Sequence, residues 1–123
     1  MQKRKELVMD EKDEELIDKI CSFGYTKAKA KCYLFFQNFE EAFSSDIERT
    51  MNERQPPVSI ALNEMCHEGL LKSVQIYSAG KGRPRIKYIR KTQPFDYIRA
   101  EANKKIKEIN ENLLILNISF VSE

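Results

Sequence analysis

Residues 57–90 read PVSIALNEMCHEGLLKSVQIYSAGKGRPRIKYIR, and the order of patterns in this stretch decides the fold. Val58, Leu62 and Met65 recur at helical spacing, which predicts a helix from about Pro57 to Glu68 with one buried face. A glycine follows it, and residues 70–77 then have the composition and partial alternation of a strand. A basic turn and a second alternating tract at about 86–90 complete a β-hairpin.

Two helices are predicted nearer the start of the chain. The apolar residues between Glu11 and Phe23 follow helical spacing, and the pattern stops at Gly24, a common helix-ending residue. Thr26 can cap a second helix that runs to about Gln37. Near the start of this helix lie three lysines, Lys27, Lys29 and Lys31. We expect them, together with the basic residues at 3–5, to strengthen the attraction of this part of the chain for phosphate.

A short third helix is predicted from Ser45 to about Met51. Ser45 and Glu48 have the S-x-x-E spacing of a capping box, in which each side chain bonds the other residue's backbone N–H. Pro56 and Pro57 then separate this helix from the stretch quoted above. Helix, turn, helix, strand, basic loop and strand is the order of a winged helix-turn-helix.

A long amphipathic helix is predicted after Pro94, with apolar residues at spacings of three or four. They are Phe95, Ile98, Ala102, Ile106, Ile109, Leu113 and Leu116. The narrow stripe favours pairing with a second copy of the chain, although a helix folded back on its own domain gives the same pattern. We therefore expect a mainly α-helical (α+β) chain: a winged helix-turn-helix domain with a small β-hairpin wing over residues 1–93, and a C-terminal dimerisation helix over 94–123.

The basic charge of the chain is concentrated at the hairpin turn. The formal net charge is only +2, whereas residues 78–91 hold six basic residues and no acid. Clustered Lys and Arg side chains bind a polyanion by releasing its counterions, so this pattern favours DNA phosphate over a simply solvated loop. The wing residues expected to contact DNA are Lys81, Arg83, Arg85 and Lys87.

The helix at about 57–68 is the predicted DNA-reading element, placed in the major groove by a homodimer on double-stranded DNA. The residues expected to reach base edges or nearby phosphates are Arg54, Gln55, Pro57, Ser59, Ile60 and Asn63. The charge of residues 44–69 opposes this prediction, because they include two basic and five acidic side chains. Glu64 and Glu68 would repel phosphate if they faced it, and an ordinary solvated surface is the alternative for the polar positions.

Several runs of residues resemble archaeal winged-helix transcriptional regulators of the TrmB-like group, within the wider set of ArsR-like and MarR-like regulators. The runs are Gly24–Leu34, with Ala30, Lys31, Tyr33 and Leu34 matching; Arg54–Ser59 with Leu62–Met65 and Glu68–Leu70; and Gly80–Pro84. The resemblance covers about residues 22–91 and implies a DNA-binding regulator with its recognition helix and wing at these positions. The chain ends before the effector domain of full-length TrmB proteins and lacks the cysteine-rich motif of metal-sensing ArsR-like proteins. Neither a sugar nor a metal ligand is therefore implied.

Other classes of protein are disfavoured. The longest apolar runs are far shorter than the roughly 20 residues of a membrane-spanning helix, and no secretory signal is visible, so we expect a cytoplasmic protein. The three cysteines have no C-x-x-C spacing and are interpreted as small core residues. With His67 as the only histidine, neither a metal site, a cofactor nor an enzyme is expected. A winged-helix module that binds proteins rather than DNA stays open, and any effector is unknown.

Overall fold

The computed structural model describes residues 10–53, 56–77 and 82–121, with side chains as far as Ile118. The elements of these residues are, in chain order, α1 (Glu11–Ser22), α2 (Lys27–Asn38), β1 (Glu41–Phe43), α3 (Ser44–Met51), α4 (Pro57–His67), β2 (Leu71–Ile76), β3 (Arg85–Arg90) and α5 (Pro94–Val121). This order confirms the predicted winged helix-turn-helix, mainly α-helical, with a long C-terminal helix.

Helices α1 and α2 begin at side-chain caps. The Asp10 carboxylate accepts a hydrogen bond from the Asp13 backbone N–H at 2.9 Å, and the Thr26 hydroxyl accepts one from the Lys29 N–H at 3.2 Å. Each bond satisfies a donor that the first helical turn leaves unpaired. Gly24 lies between the helices at φ +106°, a left-handed conformation that favours glycine. The predicted Thr26 cap is confirmed.

The start of α3 corrects the predicted capping box. The helix begins at Ser44 rather than Ser45, and Phe43 is its N-cap. The Asp46 carboxylate accepts a hydrogen bond from the Phe43 backbone N–H at 3.0 Å, the kind of contact that was predicted for Glu48. The physical reason is strand β1, which holds the chain extended as far as Phe43 and lets the helix begin directly after it.

Three strands form one antiparallel sheet in the order β1-β3-β2. Strands β2 and β3 pair along their whole length, with Ile76 opposite Arg85 at the wing end, so the predicted hairpin is confirmed. Strand β1 pairs with the other edge of β3, where Phe43 lies opposite Lys87. The sequence analysis missed β1, because three residues are too few to show strand alternation.

The core is built around α2, in which Tyr33 and Phe36 are fully buried. Most neighbouring elements contribute apolar side chains to it: Ile17, Ile20, Ala42, Ile47, Met51, Val58, Ala61, Leu62, Met65, Leu71 and Ile98. The predicted inward stripe of α4 is confirmed, because Val58, Leu62 and Met65 are completely shielded from solvent. Burying this stripe fixes which side of α4 faces away from the domain.

Helix α5 has two different halves. Near its start, Ile98 is buried and Phe95 packs against the core, so these two predicted dimer contacts are engaged within their own chain. From Asn103 to Ile118 every side chain is exposed. Within the described ranges, neither α5 nor any other helix is long and apolar enough to cross a membrane.

Candidate nucleic-acid interface

Helices α3 and α4 are the two helices of the helix-turn-helix. Helix α3 ends at Met51, and its C-cap residue Asn52 adopts a left-handed conformation at φ 54°. Helix α4 opens with Pro57 in its first turn. Ile47 and Met51 of α3 are buried in the same core as Val58 of α4. This packing holds α4 by its apolar stripe and leaves its opposite side facing solvent.

The outward side of α4 combines an apolar and an amide side chain. Ile60 is 56% exposed, and Asn63 is exposed one turn further on. Pro57 is exposed at the start of the helix, and Ser59 is partly buried. An exposed isoleucine suits the methyl group of thymine, and an asparagine amide can pair with both acceptor and donor of adenine. Three other predicted contacts, Arg54, Gln55 and Lys81, lie outside the described residues.

The acidic side chains near α4 are held by lysines of α2. The Lys29 ammonium lies 2.9 Å from Glu64 Oε1 and also bonds the Glu68 carboxylate, while Lys31 lies 2.9 Å from Glu53 Oε2. Both lysines are buried. The expectation that they would attract phosphate is therefore wrong for these two residues. The same contacts reduce the repulsion expected from Glu64 and Glu68, because the one Lys29 cation lies beside both carboxylates.

Lys29 lies in a cluster that joins α2, α4 and α5. Its ammonium is 5.6 Å from the ring centroids of both Tyr25 and Tyr33, and the Tyr33 and Tyr97 rings are 6.4 Å apart. The Tyr33 hydroxyl donates to Glu68 Oε1 at 2.9 Å. Burial opposes the charge of Lys29, but hydrogen bonds to the two carboxylates outweigh it and raise the lysine pKa. Burial and the bond to Glu68 raise the pKa of Tyr33, so it stays a neutral donor.

Two basic side chains of the wing, Arg85 and Lys87, contact β1. Arg83 is exposed, and the Arg85 guanidinium lies 3.8 Å from the ring centroid of Phe43. A guanidinium stacked on a ring keeps its in-plane N–H donors available for phosphate. Lys87 is 3.4 Å from Glu41 Oε2, so a carboxylate competes for it. The structure therefore favours Arg83 and Arg85 over Lys87 as phosphate contacts.

Two further residues have roles that the sequence analysis did not single out. Arg90 donates to the backbone carbonyls of Phe36 at 2.8 Å and Phe39 at 3.3 Å, which ties β3 to the end of α2. Tyr77 lies just after β2 and is exposed, with its hydroxyl donating to Gln75 Oε1 at 2.7 Å. Tyrosine is among the side chains that bond the DNA backbone, so Tyr77 is a candidate wing contact. The exposure of the Tyr77 side chain identifies this candidate, and only the structure shows that exposure.

Around the three cysteines, the part of the chain that the structure describes shows no metal-binding cluster. Within the described ranges, no group of three or more His, Cys, Asp or Glu side chains is arranged to hold a metal ion. All three thiols are free. Cys32 is buried as predicted, and burial raises the pKa of its thiol to about 12, while Cys21 and Cys66 are partly buried against the core.

Comparison with known proteins supports the fold. No protein-family model and no curated protein matches the chain. A transcriptional regulator homologue from Pyrococcus horikoshii OT3 is similar at TM-score 0.52 and 15% identity, over 83% of this chain and 97% of that one. A possible transcriptional regulator from Methanosarcina mazei Go1 gives TM-score 0.53 and 18% identity, over 80% and 86%. MepR, a regulator of the Staphylococcus aureus multidrug efflux pump MepA, gives 0.50 and 15%, over 83% and 73%.

At such low identity these likenesses show a shared fold. The shared fold is the winged helix. The structures named above do not single out the TrmB-like group, so the resemblance of this chain to that group stays a prediction.

Proposed function

We propose that the chain is a sequence-specific, double-stranded DNA-binding transcriptional regulator that acts as a homodimer. The observation that carries the proposal is the outward side of α4, where Ile60 and Asn63 are exposed on a helix-turn-helix. Helix α4 enters the major groove, and the wing of β2 and β3 lies over the flanking backbone. The solved structures of similar fold are described as transcriptional regulators, which supports this assignment.

Sequence reading and anchoring belong to different residues in this proposal. Ser59, Ile60 and Asn63 meet base edges, together with Arg54 and Gln55 at the approach to α4. The wing arginines, with Lys81 and Lys87 beside them, bind phosphate and set the register without reading sequence. The winged helix-turn-helix domain spans residues 1–93, and the helix over 94–123 joins two such domains.

The distal half of α5 supports the dimer. Ile106, Ile109, Leu113 and Leu116 are all more than half exposed and recur at spacings of three or four. A monomer rarely keeps a contiguous apolar stripe of this length in water. A two-fold dimer through this stripe would present two copies of α4 to one face of the duplex, as helix-turn-helix dimers do.

A second candidate is a winged-helix module that binds proteins and does not read DNA. It is favoured by the composition of α4, which has no Lys or Arg between Pro57 and His67. An exposed Ile60 on such a helix would also suit an apolar partner. The two candidates differ in their dependence on the wing, because a protein-binding α4 does not need wing arginines.

The test is fluorescence anisotropy with a labelled random-sequence duplex over a salt series. The double variant Arg83→Glu/Arg85→Glu is compared with Lys12→Glu/Lys107→Glu, which changes the charge equally at exposed sites on α1 and α5. If each wing arginine meets one phosphate in a dimer, four contacts are lost, and the slope of log K against log salt falls by about 3.6. The control should keep most of the slope.

Absence of binding at low salt, or an equal loss in both double variants, would refute the proposed wing contact. Selection from a random duplex library then tests sequence reading. Asn63→Ala should relax the selected base at one position of each half-site, with a loss of roughly 1–3 kcal/mol for the preferred base. An unchanged selected sequence would contradict the role of Asn63.

A further inference from the structure

Glu64 lies at the border between the outward side of α4 and the side that packs on α2. Residues four apart on a helix are about 40° apart around its axis, so Ile60, Glu64 and Glu68 turn stepwise from one side to the other. Ile60 faces solvent, whereas the Glu68 side chain is largely shielded by its contacts with α2. Between them the Glu64 side chain is half-exposed. From this position its carboxylate can turn either to α2 or to the outward side.

The Lys29 ammonium holds this carboxylate on the α2 side. Lys29 Nζ lies 2.9 Å from Glu64 Oε1 and is anchored by its contact with Glu68. The rings of Tyr25 and Tyr33 lie 5.6 Å from the same ammonium, which confines it further. The Lys29 side chain is only 10% exposed, so this cation acts on its protein partners and does not reach out to phosphate.

A carboxylate turned to the outward side of α4 would oppose DNA binding. A recognition helix in the major groove runs between two phosphate backbones, so a carboxylate on its flank meets negative charge. Helix α4 itself offers no Lys or Arg to compensate, because residues 57–67 contain neither. A compensating cation must therefore come from another element, and the structure brings Lys29 of α2 to Glu64.

We propose that Lys29 is a positioning residue for DNA binding, which acts through Glu64 and does not itself contact DNA. It keeps the Glu64 carboxylate turned away from phosphate and offsets part of its charge where α4 enters the groove. This role rests on the proposed function and deepens it. It is separate from the contact of the same ammonium with Glu68, which ties the end of α4 to α2.

The two glutamates allow DNA affinity to be separated from stability. Glu68 is shielded from solvent and bonds both Lys29 and Tyr33, so substitutions there act mainly on folding. Glu64 is half-exposed, so its charge contributes little to stability but lies next to the outward side of α4. A role of Lys29 in DNA binding should therefore depend on Glu64, whereas a purely structural role should depend on Glu68.

The test measures binding of a labelled random-sequence duplex by fluorescence anisotropy, because repulsion of phosphate does not depend on sequence. At about 50 mM salt, Lys29→Met should weaken binding about fivefold, since Glu64 is then free to face phosphate. Lys29→Met/Glu64→Gln should return to within about twofold of wild type. Glu64→Gln alone should tighten binding by about twofold or less, because Lys29 already offsets part of that charge.

Three variants serve as controls. Lys12→Met removes the same charge at an exposed site on α1 and should stay within about twofold of wild type. Glu68→Gln should lose stability but keep its affinity, because Lys29 still holds Glu64. Lys29→Met/Glu68→Gln should regain part of the stability lost in Lys29→Met and still bind weakly. Circular dichroism at the assay temperature gives the folded fraction of each variant.

The salt series distinguishes repulsion from a displaced helix. Salt screens the interaction of a half-exposed carboxylate with phosphate, so the difference between wild type and Lys29→Met should shrink as salt rises from about 50 to 150 mM. A displaced α4 would weaken binding by a similar factor throughout the series, and that result would contradict the proposed role.

Two other outcomes would overturn the role of Lys29. One is equal weakening in Lys29→Met and Lys29→Met/Glu64→Gln, and the other is recovery of affinity in Lys29→Met/Glu68→Gln. If the wild type binds DNA through its wing and Lys29→Met binds equally well, only this inference fails. If the wild type binds no duplex at low salt, the proposed DNA binding fails together with it.

Discussion

Replacing Lys29 with methionine tests what holds α2 to the end of α4. The substitution keeps the length and apolar contacts of the side chain but removes the cation that binds Glu64 and Glu68. Glu68 has a side chain only 17% exposed and would be left buried without a cation. Removing one partner of a buried ion pair costs about 3–5 kcal/mol. Because Glu68 keeps its hydrogen bond from Tyr33, we expect the lower end of this range.

Burial predicts different effects for the two carboxylates. Glu64 is 54% exposed at its side chain, so Glu64→Gln should lower the free energy of unfolding by only about 0.5 kcal/mol. Glu68→Gln loses a charge-assisted bond in a buried site and should cost about 2 kcal/mol. In the double variant Lys29→Met/Glu68→Gln no buried charge is left unpaired, so the loss should fall short of the sum by at least about 1 kcal/mol.

The assay is equilibrium denaturation in urea at one fixed protein concentration, because dissociation of the proposed homodimer would make stability depend on concentration. For a chain of this size 1 kcal/mol corresponds to about 4 °C, so Lys29→Met should lower the thermal midpoint by about 12 °C. An effect of Lys29→Met under about 1 kcal/mol would refute the reasoning from burial. So would equal losses for Glu64→Gln and Glu68→Gln.

Three more expectations can be measured on the same protein. Burial and a bond to Glu68 raise the pKa of Tyr33 above its ordinary value of 10.0. The stability that the neutral Tyr33 hydroxyl contributes is therefore complete below pH 10.0 and is lost as the pH rises further. Urea midpoints should fall in alkaline solution, and a midpoint that rises would contradict this reasoning. A thiol reagent should label Cys21 and Cys66 in the folded protein but Cys32 only after denaturation, as mass spectrometry can show. Asn52→Val should cost about 1–2 kcal/mol because residue 52 is left-handed, whereas Asn52→Gly should stay near wild type in the same denaturation assay.

Most of the architecture was predictable because its signals are local. The Thr26 cap of α2 and the end of α1 at Gly24 depend on residues within one helical turn. The inward stripe of α4 depends on residues within two or three helical turns. The hairpin of β2 and β3 was visible as two strand-like runs around a glycine-rich turn. These features survive in the structure because tertiary packing reinforces them and nothing overrides them.

The misses share one physical cause, which is dependence on distant residues. Strand β1 forms because its three residues pair with an edge of β3. Three residues are too few to predict that pairing from the sequence. The early start of α3 follows from β1. Lys29 has the sequence context of a solvated lysine, yet its partner Glu68 is 39 residues away. Long-range pairing of this kind leaves no periodic trace in the chain.

The amino-acid sequence by itself determined the helices, the wing and the place where basic charge is concentrated, because caps, turns, periodicity and composition act over short distances. Only the tertiary structure decided which of the charges face outward. In the structure Lys29 and Lys31 form ion pairs with carboxylates, whereas Arg83 and Arg85 lie at the surface. Ile60 and the distal half of α5 are exposed to solvent. Whether a charge is buried or available depends on the groups packed around it, and packing brings those groups together from distant parts of the chain.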